Sequence, residues 1–256
     1  MDLKLDLSVA VNYTSKSQIA RVITEKWVGR QIYCPSCGNP SLNDFANNSP
    51  VADFYCNSCK SEYELKSKKD SFNFNRIVDG AYQSMIERIN STNNPNFFFL
   101  NYSSSELIVD NFIVIPKHYF TNDIIEKRKP LSQNARRAGW IGCNILLQDV
   151  PESGKIHMVK NRQMEPPEQV MKKWAKTFFL ADQKQENRGW IIEIMRILDK
   201  IKKINFTLSE VYEYESELQK KFPNNKFVKD KIRQQLQVLR DKNYIEFKGN
   251  GQYRKL

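Results

Sequence analysis

The sequence lacks several features that mark particular classes of protein. No stretch approaches the roughly 18 consecutive apolar residues of a membrane-spanning helix, and the first residues have neither region of a secretory signal. The phosphate-binding GxxxxGKS/T motif and the dinucleotide-binding GxGxxG motif are both missing. With only 2 histidines, nuclease classes built on a histidine cluster are hard to assemble from this chain. We therefore expect a cytoplasmic protein that uses no nucleotide cofactor.

Acidic residues are scarce relative to basic ones. The 256 residues include 40 Lys and Arg against 29 Asp and Glu, a formal charge of +11. This excess favours a polyanionic partner, with nucleic acid the first candidate and an anionic membrane surface the competing one. The amphipathic segments look like ordinary core-facing helices, which argues against the membrane. The length suits one large and one small domain.

Cysteines are few but paired. Cys34 and Cys37 form one CxxC motif and Cys56 and Cys59 another, at the spacing of a zinc ribbon. Four thiolates in a tetrahedron suit Zn²⁺, and a fully occupied shell indicates a structural rather than a catalytic ion. The alternative is that both pairs are merely buried, as we expect for the fifth cysteine, Cys143.

Two short strands are predicted around the second cysteine pair, at Val51–Tyr55 and Tyr63–Lys66. The CxxC turn at Cys56–Cys59 lies between them and reverses the chain, so the strands should pair antiparallel. Because strand side chains alternate, Glu64 and Lys66 share one face while Leu65 points to the other.

These strands offer a candidate catalytic site. If Asp53 projects beside Glu64, the two carboxylates and the Leu65 carbonyl form an oxygen-rich site suited to Mg²⁺. Lys66 would orient or deprotonate the attacking water while the metal stabilises charge on a phosphate. An isolated Glu-x-Lys triplet is common on solvated strands, so the preceding aspartate carries much of the argument.

The order of the neighbouring elements adds support. The hydrophobic patterns predict helices and buried strands around the two short strands, in a mixed αβββαβ sheet. The helices are predicted at Ser17–Gln31 and Asp79–Asn90, and the strands at Asn96–Leu100 and Phe112–Ile115.

This arrangement resembles the PD-(D/E)XK nuclease superfamily, with Pro50, Asp53 and Glu64-Leu65-Lys66 as its motif. The proline is separated from the aspartate by two residues, which is a common variation. More closely, the chain resembles the methyl-directed type II restriction endonucleases of the DpnI type. That resemblance is carried by four segments: Cys34–Cys37, Pro50–Cys56, Glu64–Lys69 and Arg136–Cys143.

The resemblance covers the whole chain and implies an activity. It implies a prokaryotic endonuclease that cuts double-stranded DNA at GATC sites carrying N6-methyladenine. It assigns catalysis to Asp53, Glu64 and Lys66. We expect the protein to act as a monomer.

A second domain is predicted at the C-terminus. The polar stretch Ala181–Asn187 suggests a boundary, giving a catalytic domain at 1–182 and a DNA-binding domain at 183–256. The apolar residues from Trp190 to Ile201 follow helical spacing, and Thr207–Glu210 has the form of a capping box that opens a second helix. A third helix with one apolar face is followed by a hairpin pattern. Three helices and a hairpin predict a winged helix.

Two groups of residues are candidate DNA contacts. On the third helix, a polar stripe separate from the apolar face could reach the major groove. In the nuclease domain, a tryptophan beside glycine and two arginines suggests a loop that enters a groove, although an indole can also cap a core. The first group is Lys229, Arg233 and Gln237, and the second is Arg136, Arg137 and Trp140.

Two other functions remain open from the residues alone. A zinc-ribbon and winged-helix transcription regulator would explain the cysteines and the charge without catalysis. A Holliday-junction or repair nuclease could use the same fold. Asp53 with Glu64 and Lys66 separates the nucleases from the regulator, which has no need of these residues.

Overall fold

A computed structural model of the chain describes residues 1–45, 52–70, 75–91 and 94–256. They form two compact units, one of Met1–Gln148 with Ser153–Thr177 and the other of Asp149–Glu152 with Phe178–Leu256. Pro50 of the catalytic motif and Val51 of its first predicted strand lie outside the described residues.

The first unit has the mixed α/β architecture that the sequence predicts. Its helices are α1 (Lys16–Gln31), α2 (Tyr82–Asn90) and α3 (Pro167–Thr177). Its strands are β1 (Asn43–Asp44), β2 (Phe54–Tyr55), β3 (Glu62–Lys69), β4 (Arg76–Ala81), β5 (Asn96–Ser103), β6 (Ile108–Ile115), β7 (Ile125–Lys127), β8 (Gly142–Leu146), β9 (Ile156–Lys160) and β10 (Gln163–Met164).

The larger sheet is mixed. Among the described residues it has seven strands in the order β1-β2-β3-β5-β6-β9-β10. Strands β3 and β5 are parallel and every other neighbouring pair is antiparallel. Because parallel neighbours need a crossover connection, α2 lies between β3 and β5 in the chain. With β4 set aside as part of another sheet, the elements from α1 to β5 follow the αβββαβ order, and the first strand of this series, β1, is one that the sequence did not predict.

The centre of this sheet is β5, which is buried on both faces. Phe97–Leu100 has no exposed surface, as a continuous apolar run in a covered strand should. On one face, α1 packs through Trp27, whose ring meets that of Phe112 edge-on at 5.4 Å between centroids. The predicted helix at Ser17–Gln31 and the strands at Asn96–Leu100 and Phe112–Ile115 are confirmed, and the strands are longer than predicted.

The first catalytic strand is shorter than predicted. The prediction was Val51–Tyr55, whereas β2 contains only Phe54 and Tyr55. It pairs antiparallel with β3 as predicted, with Phe54 opposite Tyr63. Beyond Phe54, the N–H of Asp53 still donates to the Tyr63 carbonyl at 3.0 Å, whereas the N–H of Leu65 donates to the side chain of Asp53 at 2.6 Å.

The smaller sheet, in the order β4-β8-β7, corrects another prediction. A helix was predicted from Asp79, but this residue lies in β4 and α2 begins at Tyr82. Asp79 pairs with Cys143 of β8, next to an irregularity before Ala81. Pairing with a distant strand thus overrides the helical pattern at the start of this segment.

The second unit is a winged helix. Its elements are α4 (Gln185–Lys200), β11 (Asn205–Thr207), α5 (Leu208–Tyr212), α6 (Glu215–Lys221), α7 (Val228–Asp241), β12 (Ile245–Gly249) and β13 (Gln252–Lys255). The capping box between Thr207 and Glu210 is present. The predicted second helix is in fact two, α5 and α6, because the chain leaves helical geometry at Tyr214, where φ is -91° and ψ is 8°.

The core of this unit follows the predicted apolar faces. Ile232, Leu236 and Leu239 of α7 are fully buried, and Trp190 of α4 stacks on Phe222 with ring centroids 4.0 Å apart. The hairpin of β12 and β13 turns at Gly249–Gly251, where every φ is positive. In the part of the chain that the structure describes, no helix is both long and apolar enough to cross a bilayer.

Candidate active site and metal centre

Two tight turns present the paired cysteines. In the first, Cys34 accepts a backbone hydrogen bond from Gly38 at 2.8 Å, and Gly38 has a φ of 77°. In the second, Cys56 accepts one from Lys60 at 2.9 Å, and Lys60 has a φ of 60°. Each turn therefore points two sulfurs to the same side, and the second joins β2 to β3.

The four sulfurs form one compact cluster. All lie within 4.8 Å of one another, and Cys34–Cys59 and Cys37–Cys56 are each separated by 3.6 Å. Zinc–sulfur bonds of about 2.3 Å in a tetrahedron place sulfurs roughly 3.8 Å apart, so the donor set fits Zn²⁺. None of the four is in a disulfide.

The pKa values of Cys34 and Cys59 are shifted in opposite directions by their surroundings. Burial raises the pKa of Cys34 far above its usual range. Burial also opposes ionisation of Cys59, but hydrogen bonds involving Ser61 outweigh it and lower the pKa of Cys59 to about 6. Cys34 is therefore a buried thiol that resists ionisation, and Cys59 an exposed one with a lowered pKa.

Tyr63 joins this cluster to the catalytic strand. Its hydroxyl lies 3.1 Å from the Cys34 sulfur, and its fully buried ring stacks on Phe98 at 4.6 Å between centroids. Its carbonyl accepts the N–H of Asp53 at 3.0 Å. The residue that precedes Glu64 in β3 thus contacts a cysteine cluster, the sheet core and the backbone of Asp53.

The structure places Asp53 against β3. Its Oδ2 accepts the N–H of Leu65 at 2.6 Å, which holds the carboxylate beside the Glu64–Lys66 segment. Burial raises the pKa of Asp53; the Leu65 hydrogen bond opposes this shift, and the negative charge of Glu64 adds to it. A cation at this position would relieve the crowding of negative charge.

Glu64 and Lys66 lie side by side on one face of β3. The Lys66 Nζ is 2.6 Å from Glu64 Oε1 and 2.5 Å from Asp79 Oδ1, and Arg88 donates to Glu64 Oε2 at 2.6 Å. Burial lowers the pKa of Lys66, but the charges of Glu64 and Asp79 outweigh it and leave the pKa raised. The three predicted catalytic residues are therefore brought together in one polar cluster.

Sequence reasoning missed three members of this neighbourhood. Asp79 comes from β4, Arg88 from α2 and Glu25 from α1. The pKa of Glu25 is raised by burial, with a further contribution from the charge of Asp53, so its carboxylate lies within electrostatic range. No local motif identifies these residues, because only the fold brings them to β3.

The Trp140 loop, residues 132–141, is closed by backbone hydrogen bonds at its base. Leu131 donates to the Trp140 carbonyl at 2.9 Å and accepts from Gly139 at 3.0 Å. The Arg137 guanidinium lies 4.9 Å from the indole centroid, and Arg136 is exposed. The loop thus presents two arginines and a half-buried indole from a fixed base.

On α7 the predicted contact residues occupy an exposed stripe. Lys229 and Arg233 lie 5.5 and 5.7 Å from the ring centroid of Tyr212, and each also pairs with a carboxylate on the same unit. Gln237 is exposed and, with Arg233 and Phe247 of the hairpin, lines a shallow cleft. These side chains are available to an approaching polyanion.

Two family models match the chain. The first, described as the DpnI, Dam-replacing family, matches residues 1–183. The second, described as the Dam-replacing HTH domain, matches residues 186–255.

Proposed function

The chain belongs to the DpnI, Dam-replacing family, and on that premise we propose that it cleaves both strands of DNA at GATC sites whose adenine carries an N6-methyl group. Membership of this family implies a methyl-dependent restriction endonuclease with a DNA-binding helix-turn-helix domain. The GATC sequence, the N6-methyl mark and the use of Mg²⁺ are the further steps of the proposal.

The observation that carries the proposal is that the Asp53 carboxylate and the Glu64–Lys66 ion pair meet at β3, within electrostatic range of each other. The carboxylates of Asp53 and Glu64 are hard oxygen donors of the kind that Mg²⁺ takes. In a strand the N–H and C=O of one residue point to the same side, so the Leu65 carbonyl faces Asp53 as its N–H does. Bound there, Mg²⁺ would supply Lewis-acid stabilisation of the charge on the scissile phosphate.

The remaining chemistry belongs to the side chains. Lys66 carries a positive charge beside Glu64 and can orient the attacking water toward the phosphorus. Asp53 is fixed by the Leu65 N–H, so it needs little rearrangement to accept a cation. Arg88 holds the second oxygen of Glu64 and so limits the rotation of that carboxylate. A transcription regulator would have no use for this arrangement.

The other parts of the molecule supply binding and rigidity. We assign Zn²⁺ at Cys34, Cys37, Cys56 and Cys59 a structural role because the protein fills all four positions. The exposed stripe of α7 and the Trp140 loop are the proposed DNA contacts. Free thiols in such a cluster suit the reducing cytoplasm of a prokaryotic cell, where we propose that the protein acts as a monomer.

The proposal is tested by digesting GATC-containing plasmid prepared with and without adenine methylation. We expect linear and smaller products only from the methylated plasmid, only with Mg²⁺, and none with Lys66→Ala. Equal cleavage of both plasmids would contradict the methyl requirement. Binding without cleavage under all metal conditions would favour a regulator instead.

A further inference from the structure

Asp79 belongs to the same polar cluster and lies two residues before the end of β4. Its Oδ1 accepts both the Lys66 ammonium, at 2.5 Å, and the N–H of Gly80, at 2.7 Å. The side chain is only 8% exposed, less than those of Glu64 and Lys66. The pairing of β4 with β8 is irregular between Asp79 and Ala81, and the Asp79 side chain extends from this part of β4 to Lys66 on β3.

The two oxygens of the Asp79 carboxylate differ in their surroundings. Its Oδ2 is buried and has no hydrogen-bond partner among the described residues. Opposite it on β8, burial and then the Asp79 charge itself raise the pKa of Cys143 to about 11. Leaving a buried carboxylate oxygen without a hydrogen bond costs stability, so what retains an aspartate here is the contact of its other oxygen with Lys66.

The reason lies in how the cluster shares its charges. Lys66 has two carboxylate partners, Glu64 and Asp79, but Glu64 also bonds Arg88 and is a proposed metal ligand. A cation bound to Glu64 would repel the Lys66 ammonium and weaken its ion pair with Glu64. The Asp79 carboxylate would then be the anion that keeps Lys66 in place.

We propose that Asp79 is a positioning residue for DNA cleavage, whose carboxylate holds the Lys66 ammonium at the attacking water. This inference rests on the proposed nuclease function. It adds a carboxylate that is neither a metal ligand nor a DNA contact. Its role is geometric, because misplacing a catalytic group by about 1 Å can slow a reaction on the order of 100-fold.

The experiment is a single-turnover cleavage assay on the full chain with methylated plasmid. Asp79→Asn keeps the shape and the Gly80 hydrogen bond but removes the charge. We expect the maximal rate constant to fall by about 10- to 100-fold, with the Mg²⁺ concentration for half-maximal rate and the affinity for DNA in Ca²⁺ unchanged. Asp79→Glu, which restores the charge, should recover part of the rate.

Glu126→Gln provides the matched control. Glu126 is a carboxylate on β7 of the same small sheet, and it contacts Arg76 and Asn144 rather than Lys66. We expect this variant to cleave at the wild-type rate. Unfolding midpoints and zinc content are measured for each variant, and rates are compared well below the lowest midpoint. If Asp79→Asn does not fold, the smaller Asp79→Ser takes its place in the comparison.

The outcomes separate the possible roles of Asp79. A wild-type rate in Asp79→Asn, while Lys66→Ala is inactive, would overturn the inference and leave the nuclease function standing. A higher Mg²⁺ requirement at an unchanged maximal rate would make Asp79 a metal ligand and also overturn it. A wild-type chain that cleaves no methylated DNA would overturn the proposed function and this inference with it.

Discussion

Removing one hydroxyl beside the cysteine cluster should weaken zinc binding measurably. The change is Tyr63→Phe, which deletes the hydroxyl that lies 3.1 Å from the Cys34 sulfur. Hydrogen bonds to charged groups contribute about 1.5 to 3 kcal/mol, and a zinc-bound thiolate is such a group. Since about 1.4 kcal/mol corresponds to a factor of ten, we expect a roughly 10- to 100-fold loss of zinc affinity.

Zinc affinity is measured by competition with a chromogenic chelator at fixed pH. The stacking of the Tyr63 ring on Phe98 remains in the variant, so the sheet core should be preserved. Tyr33→Phe is the matched control. Tyr33 precedes Cys34 in the chain, but its hydroxyl has no hydrogen-bond partner among the described residues. We expect the control to bind zinc as wild type does. Equal affinities in all three proteins would refute the reasoning.

Four further outcomes are expected. Glu64→Ala and Lys66→Ala should each slow cleavage by at least about 100-fold without weakening DNA binding in Ca²⁺, measured by single-turnover digestion and fluorescence anisotropy. Cys37→Ser should yield protein with substoichiometric zinc and a lower unfolding midpoint, measured by metal analysis and calorimetry. Gln237→Ala should weaken specific binding by about 1 to 3 kcal/mol, measured at one stated salt concentration. Trp140→Ala should reduce the preference for methylated over unmethylated duplex by about fivefold, the contribution of one buried methyl group.

The clustering of the four cysteines and the contact of Glu64 with Lys66 could be predicted because their signals are local. Two CxxC turns place their sulfurs by themselves, and alternation along a strand puts Glu64 and Lys66 on one face. The antiparallel pairing of the two short strands follows from the knuckle that joins them. These predictions need only the sequence between Cys34 and Lys66, and in the structure Cys34 and Cys59, like Glu64 and Lys66, are in contact.

The rest of the site depends on contacts that local patterns do not contain. Asp79 reaches Lys66 from β4, and the periodicity around it is that of the following helix, so the sequence placed it in α2. Arg88 reaches Glu64 across 24 positions of the chain. The N–H of Leu65 donates to the Asp53 side chain, a contact that no propensity describes. Each of these features is decided by packing against a strand that is distant in sequence.

The cysteine cluster compensates for the weakness of the strand that carries Asp53. Strand β2 has only two residues, which pair with two residues of β3. Each backbone hydrogen bond between such strands contributes only about 0.5 to 1.5 kcal/mol. A structural zinc site can contribute about 10 to 16 kcal/mol to folding. Asp53 is three positions before Cys56, and Tyr63, the residue before Glu64, contacts the Cys34 sulfur. A zinc ion held by the cluster would therefore fix the two carboxylates relative to each other more firmly than the sheet alone.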